Sequence, residues 1–131
     1  MATILLADDS EGSRELLSAV FSSSGYSVVL AQDGREAVEL AFESVPDMVI
    51  LDLHMPRLDG YQALAELRSD SRFAAIPILA LTASAMESDR ERALAAGFSE
   101  FLTKPINLAF LRTRISRFLE PQGEAKPQDQ P

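Results

Sequence analysis

Two patterns of apolar residues alternate along this chain, and the alternation constrains its fold more than any single residue does. Short apolar or β-branched runs at 3–7, 27–31, 48–51, 76–81 and 100–103 are too short for helices and read as strands. The run Met48 to Leu51 is unbroken and bounded by Pro46 and Pro56, as expected of a strand buried on both faces of a parallel sheet. Pro77 falls near the start of the fourth strand, where a missing donor is tolerated. The segments between and after these runs have helical spacing. Leu16, Leu17, Val20 and Phe21 share a face in 11–24, which Ser10 can cap and Gly25 closes. Ala37, Val38 and Ala41 do so in 35–44, after a turn at Asp33-Gly34, and Ala63, Leu64 and Leu67 in 61–69. Residues 86–96 form a helix closed by Gly97, and Leu108, Leu111, Ile115 and Phe118 mark a last one. Five strands and five helices in strict alternation predict an α/β fold, a parallel sheet covered on both faces and joined by right-handed crossovers.

Four of the five strands end in a polar group: Asp8 and Asp9 after the first, Asp52 after the third, Thr82 after the fourth and Lys104 after the fifth. Open α/β sheets place their chemistry at the C-terminal ends of their strands. Taken alone, Asp52 equally well begins a turn; the convergence carries more weight than any member. In the flavodoxin-like doubly wound order 2-1-3-4-5, the first and third strands are neighbours at the switch point, and their acids face one crevice. Two carboxylates roughly 5 Å apart repel by about 3 kcal/mol at an effective dielectric near 20, so the cluster calls for raised pKa values or a cation. Oxygen ligands that leave room for water and phosphate oxygens suit Mg²⁺, whereas Zn²⁺ wants nitrogen or sulfur. Carboxylate, Mg²⁺, hydroxyl and ammonium together are the kit for phosphoryl transfer to Asp52, with Lys104 and Thr82 contacting the phosphoryl oxygens. Lys104 also stands out because the only other lysine is Lys126, against ten arginines.

Composition removes other function classes. A net charge of −8 disfavours nucleic acid and anionic membranes as partners. No apolar run approaches a membrane span, and residues 1–8 lack the basic start and long apolar region of a signal peptide, so the expected compartment is the cytoplasm. The absence of cysteine excludes disulfides, thiolate catalysis and zinc-thiolate sites. With 131 residues, one core is expected: a domain at 1–120, then a disordered tail or linker at 121–131 with no apolar face to bury.

Over residues 3 to about 119 the chain resembles a response regulator receiver domain of two-component or phosphorelay signalling. The resemblance lies in Asp8-Asp9, the segment Asp52-Leu-His-Met-Pro followed by Asp59-Gly60, Thr82-Ala83, and Lys104-Pro105. It implies that Asp52 is the phosphoacceptor and that Asp8, Asp9 and the His54 main-chain carbonyl complete a Mg²⁺ site. It also implies a histidine kinase or histidine phosphotransfer protein as donor, and a chain that catalyses only its own phosphorylation and dephosphorylation. A cis Lys104-Pro105 peptide is a further implication. Where the family often has a switching tyrosine, three residues before the lysine, this chain has Phe101, which is an aromatic switch without a hydroxyl or an ordinary core residue. His54, Ala83, Ser84 and Pro105 belong to the rim. The lone imidazole of His54 invites a metal-ligand reading, but a rim side chain is the reading taken, and Ser84 alternatively caps the following helix.

Two competitors remain. A haloacid-dehalogenase-type aspartyl phosphatase needs Asp-x-Asp after its first strand, whereas the acids here are adjacent. An interaction module independent of phosphorylation would be expected to have lost a member of the polar set. Read as a whole protein, the chain leaves too few residues after the last helix for an output domain, so signalling is expected through protein contact or onward phosphotransfer.

Overall fold

The computed structural model describes residues 2–83 and 86–119. Its strands are β1 (Thr3–Ala7), β2 (Ser27–Ala31), β3 (Met48–Asp52), β4 (Ile78–Thr82) and β5 (Glu100–Thr103). Its helices are α1 (Glu11–Ser23), α2 (Gly34–Ser44), α3 (Gly60–Arg68), α4 (Glu87–Ala96) and α5 (Leu108–Leu119). All strand pairs are parallel, and the sheet runs β2-β1-β3-β4-β5, the doubly wound order expected from the alternation. The suggested tail at 121–131 and Ser84 lie outside the described residues. Among the described residues, no helix is long and apolar enough to cross a membrane.

Period-two alternation in the strands divides the core between the two faces of the sheet. Ile4 and Leu6 of β1, Met48 and Ile50 of β3, and Leu79 and Leu81 of β4 pack with Leu17 and Phe21 of α1 and Leu111 and Ile115 of α5. Leu5, Val49, Leu51 and Ala80 point the other way, onto Val38 of α2, Leu64 and Leu67 of α3, and Phe73. β3 is buried at every position, as its unbroken apolar run requires. Each fully buried Leu or Phe contributes about 1.5–3 kcal/mol relative to exposure, so the central strands hold the sheet rigid at the ends where the polar groups emerge.

Several local readings change. Leu16 is 54% exposed, because the sheet meets α1 along Leu17, Val20 and Phe21. Phe118 is likewise exposed on α5, where Leu111 and Ile115 are the buried residues. Asp33-Gly34 is not a free turn: Asp33 caps α2, accepting from the Glu36 amide at 2.9 Å, and Gly34 is the first helical residue. Met86 holds the N-cap position of α4 without a side-chain hydrogen bond. A 3-10 turn at Ser71–Phe73 has no counterpart in the sequence reading, and neither does the role of Arg68. The Arg68 guanidinium donates to the carbonyls of Phe73 at 2.6 Å, Ile76 at 2.9 Å and Gly97 at 3.2 Å, tying α3 to the starts of β4 and β5.

Candidate functional site

Register brings the acids together. Ala7 pairs with Leu51, so the next residues, Asp8 and Asp52, leave adjacent strands side by side. Carboxylate oxygens of Asp8, Asp9 and Asp52 lie within 4.8 Å of one another. Asp8, Asp52 and Thr82 are the buried polar residues among those described, while Asp9 is exposed. Lys104 enters from the end of β5, its amide donating to the Thr82 carbonyl at 2.7 Å and its Lys104-Pro105 peptide in the expected cis form. Its Nζ lies 3.0 Å from Asp8 Oδ2 and 3.1 Å from Asp52 Oδ2.

Main-chain donors fix the two buried carboxylates. Asp8 Oδ1 accepts from the Ser10 amide, and Asp52 Oδ1 from the His54 amide, each at 2.9 Å. Ser10 caps α1 as its position foretold, accepting from the Ser13 amide at 3.2 Å. Arg14 adds a contact absent from the sequence reading, its Nη1 donating to the Asp8 carbonyl at 2.7 Å and bracing the loop that carries both acids. An arginine one helical turn after the cap was the available signal.

Electrostatics separate the acids. Burial pushes the Asp8 carboxyl up, but the Ser10 amide, the Ser13 side chain and Lys104 together outweigh it and hold the group below its usual range. Burial dominates at Asp52 and, with the Asp8 charge, holds it above the usual range despite the His54 amide and Lys104. Burial disfavours the charged ammonium of Lys104, yet its hydrogen bonds and charge contacts to Asp8 and Asp52 raise its pKa on balance. The Lys104 ammonium thus faces both buried carboxylates, with the exposed Asp9 carboxylate beside them.

The surroundings fit a hard divalent ion. Asp8 Oδ2 is buried without a hydrogen-bond partner: Lys104 Nζ at 3.0 Å pairs its charge, while its hydrogen bond to this carboxylate goes to Oδ1 at 3.3 Å. The donor set is carboxylate oxygen throughout, as Mg²⁺ prefers. Of the remaining candidates, Thr82 ends β4 beside the cluster, and His54, Ala83 and Pro105 are exposed at the same sheet edge. Phe101 is packed in β5 opposite Ala80, within the core layer of α2, α3 and α4. A cleft of about 170 Å³ lined by Ser13, Leu16, Leu17, Lys104, Pro105 and Ile106 adjoins the cluster through Lys104.

Known proteins are similar to this chain over most of its length. The family model of the response regulator receiver domain matches residues 4–116. Response regulator MprA of Mycolicibacterium vanbaalenii is 46% identical over 116 residues, which are 88% of this chain and 49% of that protein. The chain spans about half the length of the curated relatives it matches. Among solved structures, the receiver domain of a Pseudomonas aeruginosa sensor histidine kinase, with a magnesium ion coordinated in its active site cleft, is 37% identical. It superposes with a TM-score of 0.84, covering 92% of this chain and 98% of that one. A chain in the co-crystal structure of the Saccharomyces cerevisiae histidine phosphotransfer protein Ypd1 and the receiver domain of Ssk1 matches with a TM-score of 0.82 and 28% identity, covering 89% of this chain and 88% of that one.

Proposed function

This chain belongs to the response regulator receiver domain family, and on that premise we propose that Asp52 accepts a phosphoryl group from a histidine kinase or a histidine phosphotransfer protein. The observation that carries the reading is the placement of the Lys104 ammonium, 3.0 and 3.1 Å from acids on two different strands, beside a buried Asp8 oxygen that lacks a hydrogen bond. In the step itself, an Asp52 carboxylate oxygen forms a bond to phosphorus as the bond from phosphorus to the donor imidazole nitrogen breaks. Asp8, Asp9, Asp52 and the His54 carbonyl are the groups that would hold Mg²⁺, which when bound would supply charge neutralisation on the phosphoryl oxygens. Lys104 pairs with one of those oxygens, and the Thr82 hydroxyl donates to another. The domain catalyses its own phosphorylation and dephosphorylation and no other reaction, and it works in the cytoplasm.

The donor has to bring its histidine to Asp52, so its protein must cover the rim. The cleft beside Lys104, with Leu16 exposed at its edge, is the apolar part of that rim and supports docking there. Charge added at Asp52 gives Thr82 a new acceptor, which draws Ala83 inward and lets Phe101 repack, altering the surface of α4, β5 and α5 for a downstream protein. The test is transfer from a purified, phosphorylated histidine phosphotransfer protein, followed on a phosphate-affinity gel with Mg²⁺ or with excess EDTA. Transfer that requires Mg²⁺ is expected; transfer of equal extent in EDTA would overturn the metal part of the reading.

A further inference from the structure

The loop joining β3 to α3, residues 53–59, leads from Asp52 and carries His54, whose amide holds Asp52 Oδ1. The N-terminus of α2 supports that loop with almost no clearance. A Cβ on Gly34 would stand 1.7 Å from the Leu58 carbonyl oxygen, 2.6 Å from its carbon and 2.8 Å from Leu58 Cβ. Two of these atoms belong to the main chain, so no rotamer change relieves the clash. Gly34 is not in the left-handed region, and space alone demands glycine there. Asp33, the cap of the same helix, lies 3.5 Å from the Arg57 guanidinium. Arg57 itself takes a φ of +70°, unusual for a side-chain-bearing residue, in a three-residue turn closed by the Leu58 amide on the Pro56 carbonyl at 2.7 Å. The far end is also tight, though less so: a Cβ on Gly60 would meet the Asp52 carbonyl oxygen at 2.6 Å and Leu53 Cα at 2.9 Å. The loop is therefore clamped between two helix N-termini, and a strained residue persists in it.

We infer that Gly34 is a positioning residue for the metal site: by letting the Leu58 main chain seat against α2, it sets the loop from which His54 presents its amide to Asp52 and its carbonyl to Mg²⁺. The inference rests on the proposal that the acids hold Mg²⁺. An alanine at 34 must lift Leu58, and the displacement runs along a short, closed loop to His54. Outer-shell support of this kind is worth about tenfold or more in metal affinity.

The experiment compares Gly34→Ala with Gly12→Ala, a helical glycine whose added Cβ would meet nothing within 4 Å. Mg²⁺ dissociation constants are read from the amide shifts of Asp52 and His54 in a ¹H–¹⁵N titration, with circular dichroism and thermal melting on the same samples. Gly34→Ala should raise the constant about tenfold, and Gly12→Ala should leave it within a factor of two. An unchanged constant in a Gly34→Ala protein that merely melts lower would overturn the inference and make Gly34 a packing residue. If Gly34→Ala does not fold, amide exchange on the parent decides. A seat coupled to the metal requires, by reciprocity, that saturating Mg²⁺ slow exchange at 35–38 and at Leu58 but not in α5, and no slowing refutes it. A parent that binds no Mg²⁺ overturns the metal proposal itself and this inference with it.

Discussion

Replacing Asp9 with asparagine should stabilise the metal-free protein while weakening its response to Mg²⁺. Asp9 shares the cluster with Asp8 and Asp52, ligand oxygens lying within 4.8 Å of one another, and the Lys104 ammonium sits against the other two acids. At that separation a carboxylate pair repels by about 1 kcal/mol at the dielectric of water and by about 3.5 kcal/mol at an effective value of 20. Asp9 is exposed, so the lower figure applies to each of its two pairs. Attraction to Lys104 cancels roughly one pair, leaving a net gain of about 1 kcal/mol on neutralisation, or about 3–5 °C in melting temperature for a chain of this size. With Mg²⁺ at 100 times its dissociation constant, the parent gains about 2.7 kcal/mol; a tenfold weaker site gains only about 1.4. Thermal melts followed by circular dichroism at low ionic strength, with and without Mg²⁺, should show the variant ahead without metal and the difference erased with it. A variant that melts lower than the parent without metal, or gains as much from Mg²⁺, would refute the reasoning.

Lys104→Met keeps most of the stem's packing but removes the ammonium, leaving two buried acids facing each other; urea unfolding at neutral pH should show a loss of about 2 kcal/mol, reduced from the buried-pair value because the side chain is partly exposed. Asp52 is held above its ordinary pKa, so the folded state takes up this proton before the unfolded state does. Its contribution to stability is present below the ordinary value and lost as pH rises through the raised one. The stability gain of Asp52→Asn over the parent should accordingly shrink as pH falls from neutral towards the ordinary carboxylate value, and a gap that widens on acidification contradicts the shift. Arg68→Ala strips three carbonyls of a charged donor and should cost about 2 kcal/mol, with faster amide exchange at 97–99, and Arg68→Lys should restore little because an ammonium lacks the guanidinium fork.

The strands and the acid cluster were legible because both follow from short-range pattern: an apolar run of β3's length cannot be a helix, and its end is where Asp52 must emerge. Spacing was less informative about helix faces. Leu16 and Leu17 fit one stripe equally well, but contact with a flat sheet reaches only the second, leaving Leu16 exposed. Helix α4 has scarcely any apolar face, and only Ala93 is buried there, so its helical character was read from its closing glycine rather than from amphipathicity. Arg68 and Gly34 were illegible for a shared reason. Their partners are main-chain atoms, of Phe73, Ile76 and Gly97 for one and Leu58 for the other, and main-chain atoms leave no mark of residue type in a sequence.

The central claim is that Asp52 is the phosphoacceptor, and intact mass spectrometry after incubation with acetyl phosphate and Mg²⁺ tests it most directly. The parent should gain one phosphoryl group, and Asp52→Asn should gain none under the same conditions. Undiminished labelling of Asp52→Asn would contradict the assignment and move the chemistry to another of the site's groups.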